Sequence, residues 1–275
     1  MHPIERLRYV ARSAGAGPTR LALAAAHALG GLGADHAGLV TGCRQMVDRH
    51  PEVGAVWWLS ARLLTAEDPD HEAWVVSDAI ECDPTPKVLA AELPDDAVTV
   101  VLGWQELLVP ALHRRADLQV LVVDLSGDGV ALADSLVGAD VEAVDVPESG
   151  LGAAVAAADL VVLEALALGP SGVIASSGSL AAAAVARHSG VPVWAVAGVG
   201  RALPAPLWDA LLRRLRDAGD PWDASEELVD LSLIDEVVGP WGRASPAAAL
   251  EHIDCPVTPE LFKGVLAPGT QRGGR

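Results

Sequence analysis

Few residues of this chain combine types and spacing that do chemistry, and most of them stand in small-residue turns. In "GVIASSGSLAAAAVARHSG", residues 172–190, Ser176, Ser177, Gly178 and Ser179 directly precede an alanine-rich helical run. Backbone N–H groups left free at a helix start, with hydroxyls beside them, attract an anion such as a phosphate. The same residues also fit a plainer role, with Ser179 as the helix N-cap and small side chains letting the helix press on a sheet. A second candidate is "RSAGAGPTR", where Arg12 precedes Gly15 and Gly17, and Pro18 opens a helix. Glycines admit a ligand close to the backbone and the guanidinium can fork onto a phosphate, although an ordinary interhelical turn has the same composition. Neither segment is a dinucleotide fingerprint, because GxGxxG spacing after a strand is absent, and no cofactor is expected. GxSxG, HExxH and P-loop motifs are also missing, so the hydrolase, zinc-protease and nucleotide-triphosphatase classes lack their defining parts.

The elements that would position these residues fall into two sets. From Pro3 to about Leu93, apolar residues recur at helical spacing with Pro or Gly at the joins, while "HEAWVVSDAI" (71–80) fits helix or strand. Beyond "PDDA" the period changes. The runs "VTVVLG", "LQVLVVDL", "VEAVDV", "LVVLEAL" and "VPVWAVAG" alternate with helical stretches, and their continuous apolar character predicts strands buried on both faces. The expected fold is therefore α/β: a helical N-terminal domain over residues 1–94, then a doubly wound, mostly parallel Rossmann-like sheet domain over 95–275.

In such a sheet, ligands bind beyond the carboxyl ends of the strands. That rule selects Trp104, Gln105 and Glu106 after the first strand, Asp124 and Ser126 after the second, and Glu164 on the fourth. Trp104 is expected to line the cleft and Trp57–Trp58 to pack in a core, whereas Glu226–Glu227 reads as a solvated acidic pair.

Composition narrows the partners. The 275 residues are 51% hydrophobic and carry a formal charge of −18, which argues for a sizeable core and against direct binding to nucleic acid or an anionic membrane. The three cysteines, Cys43, Cys82 and Cys255, form no metal-ligand or disulfide pattern, and a reducing cytoplasm suits them. No metal site, membrane span or targeting segment is expected.

Three pieces, "RSAGAG" at 12–17, "GVIASSGSLAAAAVARHSGVPVWAVAG" at 172–198 and "CPVTPEL" at 255–261, give the chain a family likeness. It resembles the group that joins the α, β and δ regulatory subunits of translation initiation factor 2B with methylthioribose-1-phosphate isomerase and ribose-1,5-bisphosphate isomerase. The resemblance runs over nearly the whole chain, most strongly from residue 98 to 266. For the isomerases it implies a cysteine after the first sheet strand and an aspartate after the fourth as the acid–base pair. This chain has Gly103-Trp104-Gln105 at the first place and Leu163-Glu164-Ala165 at the second, with Glu164 one position off. The family's acidic-Thr-Arg-Pro is here Asp124-Leu125-Ser126-Gly127, and its Asn-Lys-x-Gly-Thr turn is Ala175-Ser176-Ser177-Gly178-Ser179.

Proton transfer between adjacent carbons needs a matched acid and base, which serine and glutamine do not supply. The resemblance thus implies a cytoplasmic, homodimeric, catalytically degenerate relative with a regulatory or metabolite-binding role. Its expected ligand is a small phosphorylated metabolite held by Arg12, Gly15, Gly17, Gln105, Ser126 and Ser176 to Ser179. The alternative is an active aldose–ketose phosphosugar isomerase with Glu164 or Asp124 as base. A purely structural interaction protein is a third reading.

Overall fold

The computed structural model describes residues 17–125, 127–217 and 219–262, and three of the predicted site residues, Arg12, Gly15 and Ser126, lie outside them. The described chain opens with helices α1 (Pro18–Gly30), α2 (His36–Arg49), α3 (Gly54–Thr65), α4 (Pro69–Glu81) and α5 (Thr85–Glu92). The ambiguous segment 71–80 is helical for a local reason. Asp68 caps α4 by accepting from the His71 N–H at 3.1 Å, and Pro69 starts the first turn with the backbone angle a helix needs. Helix α3 is the hub of the helical layer, with Trp57 and Trp58 fully buried, as their position in an apolar run predicts.

Downstream, β1 (Val98–Leu102), α6 (Leu108–Leu112), β2 (Gln119–Asp124), α7 (Gly129–Val137), β3 (Glu142–Pro147), α8 (Leu151–Ala157) and β4 (Leu160–Glu164) alternate. After them come β5 (Ala167–Gly169), β6 (Gly172–Ser176), α9 (Ser179–Ser189), β7 (Val193–Val196) and α10 (Ala205–Asp217). Then follow β8 (Glu226–Asp230), β9 (Glu236–Gly239), β10 (Gly242–Ala244) and α11 (Pro246–Ala249). A seven-stranded sheet has the order β10-β9-β7-β4-β1-β2-β3, parallel throughout except for the antiparallel β10 at its edge.

Successive residues of each central strand serve opposite faces. Val100, Leu102, Val161 and Leu163 pack with Val155, Ala182 and Ala186 from α8 and α9. Val101, Leu160 and Val162 face Leu89, Leu112 and Leu132 from α5, α6 and α7. This two-sided burial is what the unbroken apolar runs predict. β3 departs from it, with Glu142, Val144 and Asp145 exposed, because it is an edge strand whose charges discourage pairing with another chain.

Two features were not legible in the pattern. Strands β5, β6 and β8 form a separate antiparallel sheet in the order β5-β6-β8. Helix α10 leaves the sheet's own layers, and Leu207, Trp208 and Leu211 enter the core made by α1 to α4. Gly169 allows this approach, since a side chain there would collide with the Trp208 ring. Among the described residues no helix is long and apolar enough to cross a membrane.

Candidate functional site

Strand order reverses at β1. The chain steps from β1 outward through β2 to β3, then returns to the other side of β1 with β4. The crevice between the carboxyl ends of β1 and β4 is the position where open parallel sheets bind ligands. The loop that leaves β1 begins with Gly103 at φ +59°, a left-handed turn that favours glycine, and reaches α6 through Trp104, Gln105, Glu106 and Leu107.

Glu164, the last residue of β4, is 4% exposed, and its carboxylate is fully engaged. One oxygen accepts from the Leu107 N–H at 2.8 Å and the other from Arg201 Nη1 at 2.7 Å. Arg201 is equally buried, and the same nitrogen donates to the Ala165 carbonyl at 2.8 Å. With one oxygen on a backbone N–H and the other on a guanidinium, Glu164 ties β4 to the β1–α6 loop and to the segment after β7. Sequence reading missed Arg201. The left-handed Gly200 before it, φ +74°, marks the bend that turns it inward, and "GVGR" was the available signal.

Gln105 is the opposite case. It is 5% exposed, and among the described residues neither Oε1 nor Nε2 has a hydrogen-bond partner. A buried carboxamide without partners costs on the order of 1–3 kcal/mol, so it needs an explanation of its own. Next to it, Glu106 Oε2 accepts from the Thr19 N–H at 2.9 Å and so fills the N-terminus of α1. Gly17 makes room for this, because a side chain there would run into the Glu106 carboxylate. The helix start proposed from "AGAGP" as a place for an external anion thus already carries an internal one.

The serine turn is built similarly. Ser176 ends β6 and pairs in register with Glu226 of β8, and the Ser177 N–H donates to the Ser225 carbonyl at 2.8 Å. Gly178, φ +95°, occupies the N-cap position of α9 without a side-chain cap, so Ser179 is not the cap but the first residue inside the helix, its buried Oγ without a partner among the described residues. The free Leu180 N–H is taken by Glu227 Oε1 at 2.8 Å. Glu226 and Glu227 are therefore not a solvated pair. Alternation along β8 sends one glutamate toward the cleft and the other to the start of α9.

The cleft itself has a volume of about 520 Å³. Trp104, 46% exposed, Gln105, Glu106, Glu164 and Ser176, five of the residues selected from sequence, line it. Pro18 and Leu21 of α1, His50, Glu52 and Val53 before α3, and Ser225 and Glu226 complete the wall. Asp124 is not among the lining residues; its Oδ1 accepts from the Gly127 N–H at 2.6 Å and closes the turn after β2. Ser177, Gly178 and Ser179 stand behind Ser176 and do not line the cleft. His50, Glu52, Glu226 and Arg201 were not foreseen, because their meeting depends on how the helical layer and the second sheet dock.

The electrostatics are acidic. Burial, with the charge of Glu52 as the smaller cause, raises the Glu226 pKa above the ordinary carboxylate range. His50 Nδ1 lies 3.7 Å from Glu52 Oε1, and its buried Nε2 has no partner among the described residues. The thiols stand elsewhere: burial pushes Cys43 and Cys255 up to about 12 in the helical core, and Cys82 is exposed at the end of α4.

No protein-family model and no curated protein matches this sequence. Solved structures do match. Translation initiation factor eIF-2B from Pyrococcus horikoshii OT3 superposes with a TM-score of 0.74 at 13% identity, over 90% of this chain and 98% of that one. A chain of the tetrameric eIF2B-beta2-delta2 complex from C. thermophilum gives 0.72 at 16% identity, over 90% and 92%. The eIF2B beta subunit from Chaetomium thermophilum gives 0.68 at 18% identity, over 89% and 86%. From the helical layer through the seven-stranded sheet, this chain has the fold of the translation initiation factor 2B subunits.

Proposed function

We propose that this chain acts as a non-catalytic protein of the initiation-factor-2B type, a cytoplasmic homodimer whose switch-point cleft binds a small metabolite and so carries a regulatory signal. One observation carries the non-catalytic part: Glu164, one position off the place that the isomerase likeness would give to the acid–base carboxylate, is held in a buried pair with Arg201. Both Glu164 oxygens accept a hydrogen bond from the protein, one of them from a buried guanidinium, and this pairing disfavours a role as the mobile proton acceptor. Where the likeness expects a cysteine the chain has Gly103-Trp104-Gln105, and none of these side chains accepts or releases a proton at neutral pH. The assembly of a related fold into a beta2-delta2 tetramer supports the dimeric part by analogy.

Phosphorus NMR of purified protein with an aldose 1-phosphate tests the reading. No ketose phosphate should form at any enzyme concentration, and light scattering should give twice the monomer mass. Turnover abolished by Glu164→Gln would establish the isomerase instead.

A further inference from the structure

The ligand class of this cleft can be read from which of its polar groups are already satisfied, and the reading rests on the metabolite-binding function just proposed. Phosphate-binding sites rely on free helix N-termini and on cations. Here the N-terminus of α1 holds the Glu106 carboxylate and that of α9 holds the Glu227 carboxylate. Among the described residues the lining contains neither lysine nor arginine, and Arg201 is paired through Nη1 with Glu164 and the Ala165 carbonyl. The unspent groups are of another kind. They are the Gln105 carboxamide, the buried Nε2 of His50, and the carboxylates of Glu52 and Glu226.

We propose that the cleft binds a small organic amine in its protonated form, its ammonium set against the Glu52 and Glu226 carboxylates and a neighbouring hydroxyl or carbonyl paired with Gln105 and His50. The buried Gln105 side chain, whose two polar atoms have no partner among the described residues, is the feature that favours a hydrogen-bonding occupant. Mutual repulsion of Glu52 and Glu226 gives a cation its advantage over a neutral polyol, since the ammonium relieves a like-charge cost already present in the fold. An inorganic cation does not fit as well, because no three acidic, histidine or cysteine side chains among the described residues converge as metal ligands do. This ligand differs in charge from the phosphorylated one expected from the serine and glycine turns, whose Arg12, Gly15 and Ser126 lie outside the described residues.

Thermal unfolding of the full chain in an amine-free, phosphate-free buffer decides this, with ethanolamine and putrescine as probes and ribose 5-phosphate and inorganic phosphate as comparators. At a hundredfold excess over Kd the amine should raise Tm by roughly 5 °C, and the phosphates should not. Glu226→Gln and Gln105→Leu should each abolish the shift while leaving the unliganded protein folded, since both remove an unfavourable buried group. Glu251→Gln, an exposed carboxylate outside the cleft, should retain it and so separates the cleft from the general acidity of a chain of charge −18. A shift with phosphate, no shift with either amine, or an amine shift that survives Glu226→Gln would each overturn the proposal. The absence of isomerase turnover is measured separately, so loss of the amine ligand would leave the non-catalytic reading standing.

Discussion

Two walls of one cleft treat their polar groups in opposite ways. On the wall made by the end of β4 and the segment after β7, Glu164, Arg201, the Leu107 N–H and the Ala165 carbonyl satisfy one another. On the wall made by the β1–α6 loop, the link between α2 and α3, and β8, Gln105 and His50 carry buried atoms with no partner among the described residues and Glu226 faces a like charge. A closed network rigidifies the crevice and is costly to break, whereas an open one is destabilising until something fills it. The contrast separates residues that hold the cleft open from residues left for an occupant.

The largest effect should come from the closed wall. Arg201→Met strands a buried carboxylate and is expected to cost about 3–5 kcal/mol in urea unfolding. The double change Arg201→Met with Glu164→Gln should recover most of that loss, because the neutral amide still accepts from Leu107; a double variant as unstable as the single one would mean that the pair itself is not the cause. Next is Gly178→Ala. A left-handed backbone and the side chain of Leu125 both oppose the added methyl, for about 1–2 kcal/mol. Glu106→Ala removes the carboxylate from the start of α1 and should cost about 1 kcal/mol, together with faster amide exchange at Thr19.

The smallest effect should have the opposite sign. Glu226→Gln on the open wall is expected to raise Tm slightly at neutral pH. The folded state holds the Glu226 proton more tightly than the unfolded chain does, so this residue favours folding at low pH and that contribution is lost as pH rises through its raised pKa. The variant's advantage should therefore grow between about pH 4 and pH 7, and an advantage independent of pH would remove Glu226 from the strained wall.

How much of this was legible depends on sequence distance. Trp104 and Gln105 were found because position just after the first strand is enough to place a residue at the crevice. Glu164 was located too, but not its state, since its partner Arg201 lies 37 residues away. Glu226 was misread for a related reason. Two adjacent glutamates look like solvated surface until a strand pairing, here Ser176 with Glu226, turns one of them toward a cavity. The serine turn looked like an anion cradle because the sequence shows a helix start without showing that Glu227, from another strand, already occupies it.

Local periodicity and capping signals alone determined the helical layer, the alternating strands and helices, and the acidic character of the whole, since each depends on neighbours within a few residues. Which polar groups would be paired and which left waiting was decided only in three dimensions, because satisfaction of a buried group is a property of contacts between segments that the chain brings together from far apart.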